Sequence, residues 1–362
     1  MKHLDEFRDA ALARPLAARL QQAVSRPLRV MEICGSHTMA VFRNGIRSIL
    51  PQGLELVSGP GCPVCVTSAS HMDAFIALAD MPKVRVAIFG DLFRVPGSKG
   101  SLAEASSRGA RVSVVYSPMD ALELARNNPD EQVVFPGVGF ETTTPGIAAT
   151  ILAAKNEGIK NFSVFSTQKT MLPPLEALLG DPELKIDGLL CPGHVSTIIG
   201  AKAWEPLAAK YRLACVVAGF EAADLLNALI LLARQAAEQD FKVENTYTRA
   251  VSYEGNMRAV KMVKEIFTPA DTSWRGLGLI PASGLKIRDK YADFDAERRF
   301  GLSIPEAREP KGCKCGQILK GLKTPRECPL FAKKCTPAKP IGPCMVSSEG
   351  TCAAYYKYGL EV

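Results

Sequence analysis

Between about residues 27 and 240, short β-branched apolar runs alternate with stretches whose apolar residues recur every three or four positions. The runs predict strands over 28–33, 54–57, 84–90, 112–116, 132–135, 162–166, 189–191 and 214–217. The helical spacing predicts helices over 39–50, 101–107, 121–127, 146–155, 175–179, 201–211 and 222–239. Near-continuous apolar strands separated by helices indicate an α/β fold with parallel sheets covered on both faces. The strands exceed one compact sheet of usual size, which predicts two α/β domains, at 1–120 and 121–240. Val138-Gly-Phe-Glu-Thr-Thr and Ala218-Gly-Phe-Glu-Ala-Ala each follow an apolar strand and precede a helix, a hint of internal duplication. Beyond residue 240 the alternation fades. Pro and Gly become frequent after Leu279 and 289–299 is charged, which marks 241–362 as a separate C-terminal module.

Cysteine usage changes this picture most. Six of the 11 cysteines crowd into that module: Cys313, Cys315, Cys328, Cys335, Cys344 and Cys352. The N-terminus, Met-Lys-His-Leu-Asp-Glu-Phe-Arg-Asp, has no apolar core of a secretory signal. The longest apolar run, 225–233, contains Asn227 and stops at Arg234, too short to span a membrane. The chain therefore reads as cytoplasmic, where thiols are kept reduced, and disulfide stapling does not account for the cluster. The net charge of +7 is equally uneven: residues 311–339 hold eight Lys/Arg and one acid, Glu327, so 8 − 1 = +7. Only Phe331 offers a stacking platform there, which argues against nucleic acid. Cations offsetting thiolates on a metal centre, an acidic protein partner and a solvated basic face all fit the segment.

The candidate chemistry sits where α/β sheets bind ligands, beyond the carboxyl ends of strands. Cys34 follows the strand 28–33 and opens a helix that His37 joins within one turn; a helix N-terminus favours the thiolate as nucleophile or metal ligand, against inert packing. Cys62-Pro-Val-Cys65 follows the strand 54–57 and the turn Ser58-Gly-Pro-Gly61; its spacing suits a redox dithiol, a zinc half-site or simple packing. The C-terminal pattern Cys313-x14-Cys328-x6-Cys335-x16-Cys352 lacks the paired knuckles of structural zinc and suits a [4Fe–4S] cluster. Spacing does not choose between Cys313 and Cys315, or between Cys352 and Cys344. Glu141 and Thr142–Thr144 fall at a helix start, where Thr144 before Pro145 reads as an N-cap and first-turn pair. Cys191-Pro-Gly-His194-Val-Ser196 likewise ends a strand with a histidine, one of four in the chain.

Taken in order, Met31-Glu-Ile-Cys-Gly-Ser-His-Thr, Gly59-Pro-Gly-Cys-Pro-Val-Cys-Val-Thr, Gly139-Phe-Glu-Thr-Thr and Pro192-Gly-His-Val-Ser-Thr-Ile-Ile-Gly resemble the motifs of the HypD family of [NiFe]-hydrogenase maturation proteins. The tail Cys328-Pro-Leu-Phe, Cys335-Thr-Pro and Pro343-Cys-Met-Val-Ser-Ser-Glu-Gly-Thr-Cys resembles the same family, so the likeness runs from about Arg29 to Gly359. Met39 departs from it, standing where a second histidine is common, which shifts weight onto His37. The resemblance implies two α/β domains of similar topology around a cleft, plus a C-terminal module carrying a [4Fe–4S] cluster. It also implies a scaffold on which an iron atom receives two cyanides and one carbon monoxide. The implied partners are a small HypC-type chaperone and a HypE-type protein donating cyanide as an S-bound thiocyanate. By the same likeness Cys34, Cys62 and Cys65 line the cleft, with Cys34 the foremost ligand of the mononuclear iron. Cys62 and Cys65 form the electron-supplying dithiol, while His37, Glu141, Thr142 and His194 position ligands, move protons or meet a partner. Two rival classes are an iron–sulfur thiol–disulfide oxidoreductase that binds no mononuclear iron, and a zinc scaffold without a redox couple.

Overall fold

A computed structural model describes residues 7, 10–302 and 309–359 of the chain. Residues 1–6, where a leader segment was sought, and 303–308 and 360–362 of the C-terminal module lie outside them. No helix among the described residues is long and apolar enough to cross a membrane.

Nine strands form two parallel sheets. The first contains β1 (Leu28–Glu32), β2 (Leu54–Ser58), β7 (Gly188–Pro192), β8 (Ala214–Ala218) and β9 (Val243–Asn245), in the spatial order β2-β1-β7-β8-β9. The second contains β3 (Val84–Ile88), β4 (Arg111–Val114), β5 (Gln132–Gly137) and β6 (Phe162–Ser166), in the order β4-β3-β5-β6. Every residue of β7 and β8 is buried, as expected of central strands covered on both faces. Counted within each sheet, the orders are 2-1-3-4-5 and 2-1-3-4, so the two units share one winding scheme. The α/β expectation and the paired units therefore hold.

The expected boundaries do not match this partition. The second sheet is inserted between β2 and β7 of the first, and the division at 120/121 falls between β4 and β5, inside one sheet. Helices Ala69–Ala79 and Leu172–Leu179 carry the chain into and out of the insertion. A strand–helix–strand crossover has the same local spacing whether it stays in one sheet or changes sheets, so periodicity does not reveal the switch.

The inner faces of the two sheets share one core: Met31 and Ile33 beside β1's end, Leu189, Val86, Ile88 and Val134 join Phe75 and Trp204 in a single apolar cluster. Helices Ala10–Ala23 and Ala222–Glu238 cover the outer face of the first sheet through Leu20, Leu225 and Leu229. Beyond residue 240 the chain is more regular than its composition suggests. Helix Met257–Ile266 leads into an antiparallel hairpin, β10 (Phe267–Trp274) and β11 (Gly278–Ile287), whose ends Phe267 and Ile287 pack on the second unit. The last helix, Thr351–Tyr358, lies on helix Gly35–Arg43, with Tyr355 edge-on to Phe42 at 4.7 Å. That contact ties the cysteine-rich tail to the loop carrying Cys34.

Candidate functional site: a cleft at two strand switch points

In sheets wound this way, ligands bind beyond the carboxyl ends of the strands where the order reverses. The reversals here are β1/β7 and β3/β5. Cys34 follows β1, His194 follows β7, Asp91 follows β3 and Glu141 follows β5. A cavity of about 160 Å³ lies among these loops, lined by Cys34, Gly61, Phe140, Thr142, His194 and Glu349 among others. The paired Gly-Phe-Glu motifs do not mark equivalent positions, since β5 is third in its sheet and β8 fourth; Pro192-Gly-His194 is the counterpart of Gly139-Phe-Glu141.

Cys34 is the N-cap residue of helix Gly35–Arg43, in extended conformation, as its position after β1 requires. The backbone around it is closely packed. A Cβ on Gly61 would lie 2.5 Å from Cys34 Cα, and one on Gly35 would lie 2.6 Å from Glu349 Cβ, so both positions demand glycine. Gly35 N–H donates to Gly61 O at 3.0 Å, locking the Gly-Pro-Gly turn onto the helix start. The expected acidification of Cys34 is reversed: burial, then the Glu349 carboxylate, push its thiol up to about 12, outweighing the His37 and Ser36 hydrogen bonds that pull it down. Desolvation of a buried thiolate here exceeds what one helix start returns.

Cys62 and Cys65 are joined as a disulfide, with Cα atoms 5.2 Å apart. Cys62 Sγ lies 3.4 Å from Ser347 Oγ, which donates to Asp91 Oδ2 at 3.3 Å. Ser348 adds its N–H (3.3 Å) and hydroxyl (2.9 Å) to the same oxygen. Segment 347–349 of the tail thus plugs the cleft from the side of β3. On the other side Ser36 Oγ donates to Glu349 Oε1 and lies 3.4 Å from His194 Nδ1. Ser36 is therefore a hub between Cys34, Glu349 and His194.

Of the residues expected at the site, Cys34, Thr142 and His194 line the cavity, and the disulfide flanks it through Gly61 and Pro63. His37 and Glu141 do not line it. His37 is fully buried, its Nε2 within 3.2 Å of Ala218 O and 3.1 Å of Gly219 O, and burial lowers it to about 4, so the neutral ring anchors the helix to β8. Phe220 packs between the two histidines, 4.8 Å from His37 and 4.0 Å from His194. Glu141 accepts Met171 N–H at 2.9 Å with Oε1, leaves buried Oε2 without a partner, and is pushed up to about 7 by desolvation. Thr143, not Thr144, is the N-cap residue of the helix after β5, and Thr144 Oγ1 donates back to Phe140 O at 2.9 Å. Sequence reading missed Ser36, Asp91, Phe220 and Ser347 and gave Glu349 no role; only proximity in the fold distinguishes them from ordinary polar or apolar residues.

All six C-terminal cysteines line one small cavity of about 20 Å³, together with Ile318, Phe331 and Met345. Cys315 Sγ and Cys344 Sγ are 3.2 Å apart, and Cys335 Sγ accepts Ile341 N–H at 3.3 Å. Burial and the neighbouring thiols push Cys313 up to about 12 and raise Cys352 as well. Among the described residues, no three His, Cys, Asp or Glu side chains converge closely enough to hold a single metal ion. A cavity of about 670 Å³ lies elsewhere, between helix Thr144–Asn156 and residues 290–299, and is lined by no cysteine or histidine.

Comparison with known proteins matches these landmarks to a family. The family model HypD, described as hydrogenase formation hypA family, matches residues 11–359. A hydrogenase maturation factor HypD of Azotobacter vinelandii is 48% identical over 370 residues, covering 100% of this chain and 98% of that protein. The HypD of Rhodobacter capsulatus is 45% identical over 371 residues, covering 99% of this chain and 98% of its own length. The HypD of Escherichia coli K12 is 43% identical over 366 residues, with 99% and 98% covered. With full-length matches at that identity and the motifs gathered at one cleft, the chain belongs to the HypD family.

Proposed function

We propose that this protein is a hydrogenase maturation factor, a cytoplasmic scaffold on which a cargo iron atom receives two cyanides and one carbon monoxide. The observation that carries the reading is the gathering of Cys34, the Cys62–Cys65 pair, Thr142, His194 and Glu349 at facing switch points, beside a six-thiol module. A soft thiolate suits low-spin iron with strong-field ligands, and Cys34 is the cavity-lining residue that supplies one. Because burial holds the Cys34 proton, iron binding has to release it. Ser36 Oγ offers the route, to Glu349 or to the exposed ring of His194. With Cys34 the one cavity-lining thiol among the described residues, the remaining iron ligands come from cyanide, carbon monoxide and the HypC-type chaperone.

The Cys62–Cys65 pair supplies the electrons for cyanide delivery. In balanced form, a protein thiocyanate from the HypE-type partner and the dithiol yield the partner's thiol, cyanide, the Cys62–Cys65 disulfide and one proton. Recharging the pair takes two electrons and two protons. The donor set in the tail fits a resident [4Fe–4S] cluster: the thiols converge on one cavity, and the close Cys315/Cys344 contact favours Cys313, Cys328, Cys335 and Cys352 as the four that would hold it. Such a cluster, when bound, supplies electrons singly.

The oxidoreductase reading without mononuclear iron keeps one observation in its favour, that no three described side chains converge on a single metal ion. Iron counting separates the two. Anaerobic purification with the small chaperone should give about five irons per chain with cyanide and carbonyl infrared bands, against about four irons and no bands for the oxidoreductase.

A further inference from the structure

The cysteine-rich tail carries a basic surface that iron assembly in the cleft does not use. Two of its lysines are paired, Lys320 with Asp181 at 3.8 Å and Lys323 with Glu327 at 3.9 Å. Lys333, Lys334 and Lys339 are exposed and pair with no acid among the described residues. All three sit on the turn between Cys328 and Ile341, a stretch without a single Asp or Glu. Arg94 joins them from the other unit, donating to Pro337 O at 2.8 Å and Ala338 O at 3.3 Å.

The turn is a fixed platform. Leu330 O accepts from Cys335 N–H at 2.8 Å and Lys334 N–H at 3.1 Å, and Ala332 N–H donates to Cys335 O at 3.1 Å. Lys334 is one peptide bond from Cys335, whose sulfur lines the thiol cavity. Three such lysines on a hydrogen-bonded turn, with Arg94 beside them, steer an anionic macromolecule to that spot. Nucleic acid is the poorer fit, because Phe331, the turn's one aromatic, is buried and offers no base a stacking face. Electron carriers, by contrast, dock through small, charge-steered, transient interfaces.

We propose that Lys333, Lys334, Lys339 and Arg94 form the docking surface for a small acidic one-electron carrier protein, which passes electrons in at Cys335. The inference rests on the [4Fe–4S] reading above. Each docking event oxidises one reduced carrier and delivers one electron to the cluster. Two events, with two protons from water, convert the Cys62–Cys65 disulfide to two thiols.

The test uses the anaerobically purified full chain and a reduced plant-type [2Fe–2S] ferredoxin as the probe. Iron content and visible absorption are measured first, so a missing cluster overturns the cofactor reading before the port is tested. With the cluster present, Lys333→Glu/Lys334→Glu/Lys339→Glu should slow its reduction by at least about tenfold at low salt, and the wild-type rate should fall between roughly 20 and 200 mM salt. Oxidised ferredoxin should likewise lose measurable binding to the variant in titration calorimetry. Lys155→Glu/Lys160→Glu/Lys290→Glu, an equal change of charge at three lysines of the remote groove, should leave the rate near wild type. A triple variant as fast as wild type, equal slowing by both variants, or tighter binding of a single-stranded oligonucleotide than of ferredoxin overturns the proposal.

Discussion

At Cys34 a helix start and a low-dielectric pocket act in opposite directions, and the pocket prevails. Glu141 follows the same rule: with one carboxyl oxygen unpartnered and both shielded, it keeps its proton up to about 7 instead of 4.5. Since its folded value is raised, the native state gains from the neutral carboxyl fully below the unfolded value, and that gain is lost as pH rises through about 7. Glu141→Gln keeps the Met171 contact and removes the titration. It should therefore match wild type near pH 4 and exceed it by on the order of 2 kcal/mol at pH 8, measured by denaturant melts at both pH values. A variant that loses stability equally at both would show that the carboxyl is solvated. Residue identity alone singled out Cys34, Thr142 and His194 by their place after strands, and the fold brings these three to one cavity. It misplaced His37, whose ring faces backbone carbonyls rather than the cavity, since one helical turn of separation does not fix the direction of a side chain.

Among the elements, the strand forecasts matched closely in largely buried strands: 162–166 is β6, and 84–90 and 214–217 differ from β3 and β8 only at the ends. The hairpin β10–β11 escaped because its register shifts between Ala270 and Thr272 and Pro269 lies inside it, so apolar positions never alternate cleanly. Helix Ala69–Ala79 was missed too, being apolar on nearly every side where it lies between the two sheets. The loop holding the site depends on an element contact that no pattern shows, the Gly59-Pro-Gly61 turn pressed on the start of helix Gly35–Arg43. Gly61→Ala places a methyl group 2.5 Å from Cys34 Cα and should destabilise the chain by about 1–3 kcal/mol. Maleimide labelling should rise at Cys34 as the turn is forced away. Unchanged melting and labelling would mean that the turn yields freely.

Across the whole molecule, the insertion of one parallel sheet between the strands of another brings loops from four distant segments to one cleft, and the cysteine-rich tail closes it through 347–349. The cysteine count pointed to one thiol-rich site, and the fold brings all six of these thiols to one cavity. Cys328→Ser and Cys335→Ser should each abolish the broad absorption near roughly 400 nm expected of a Cys₄ cluster, while Cys315→Ser should retain it. Loss of colour in the Cys315 variant as well would place that thiol among the ligands. The most direct test of the scaffold itself is infrared spectroscopy of Cys34→Ala co-purified anaerobically with its small chaperone. The iron–sulfur absorption should persist while the cyanide and carbonyl bands disappear; bands that survive at wild-type intensity would contradict Cys34 as the thiolate that holds the iron.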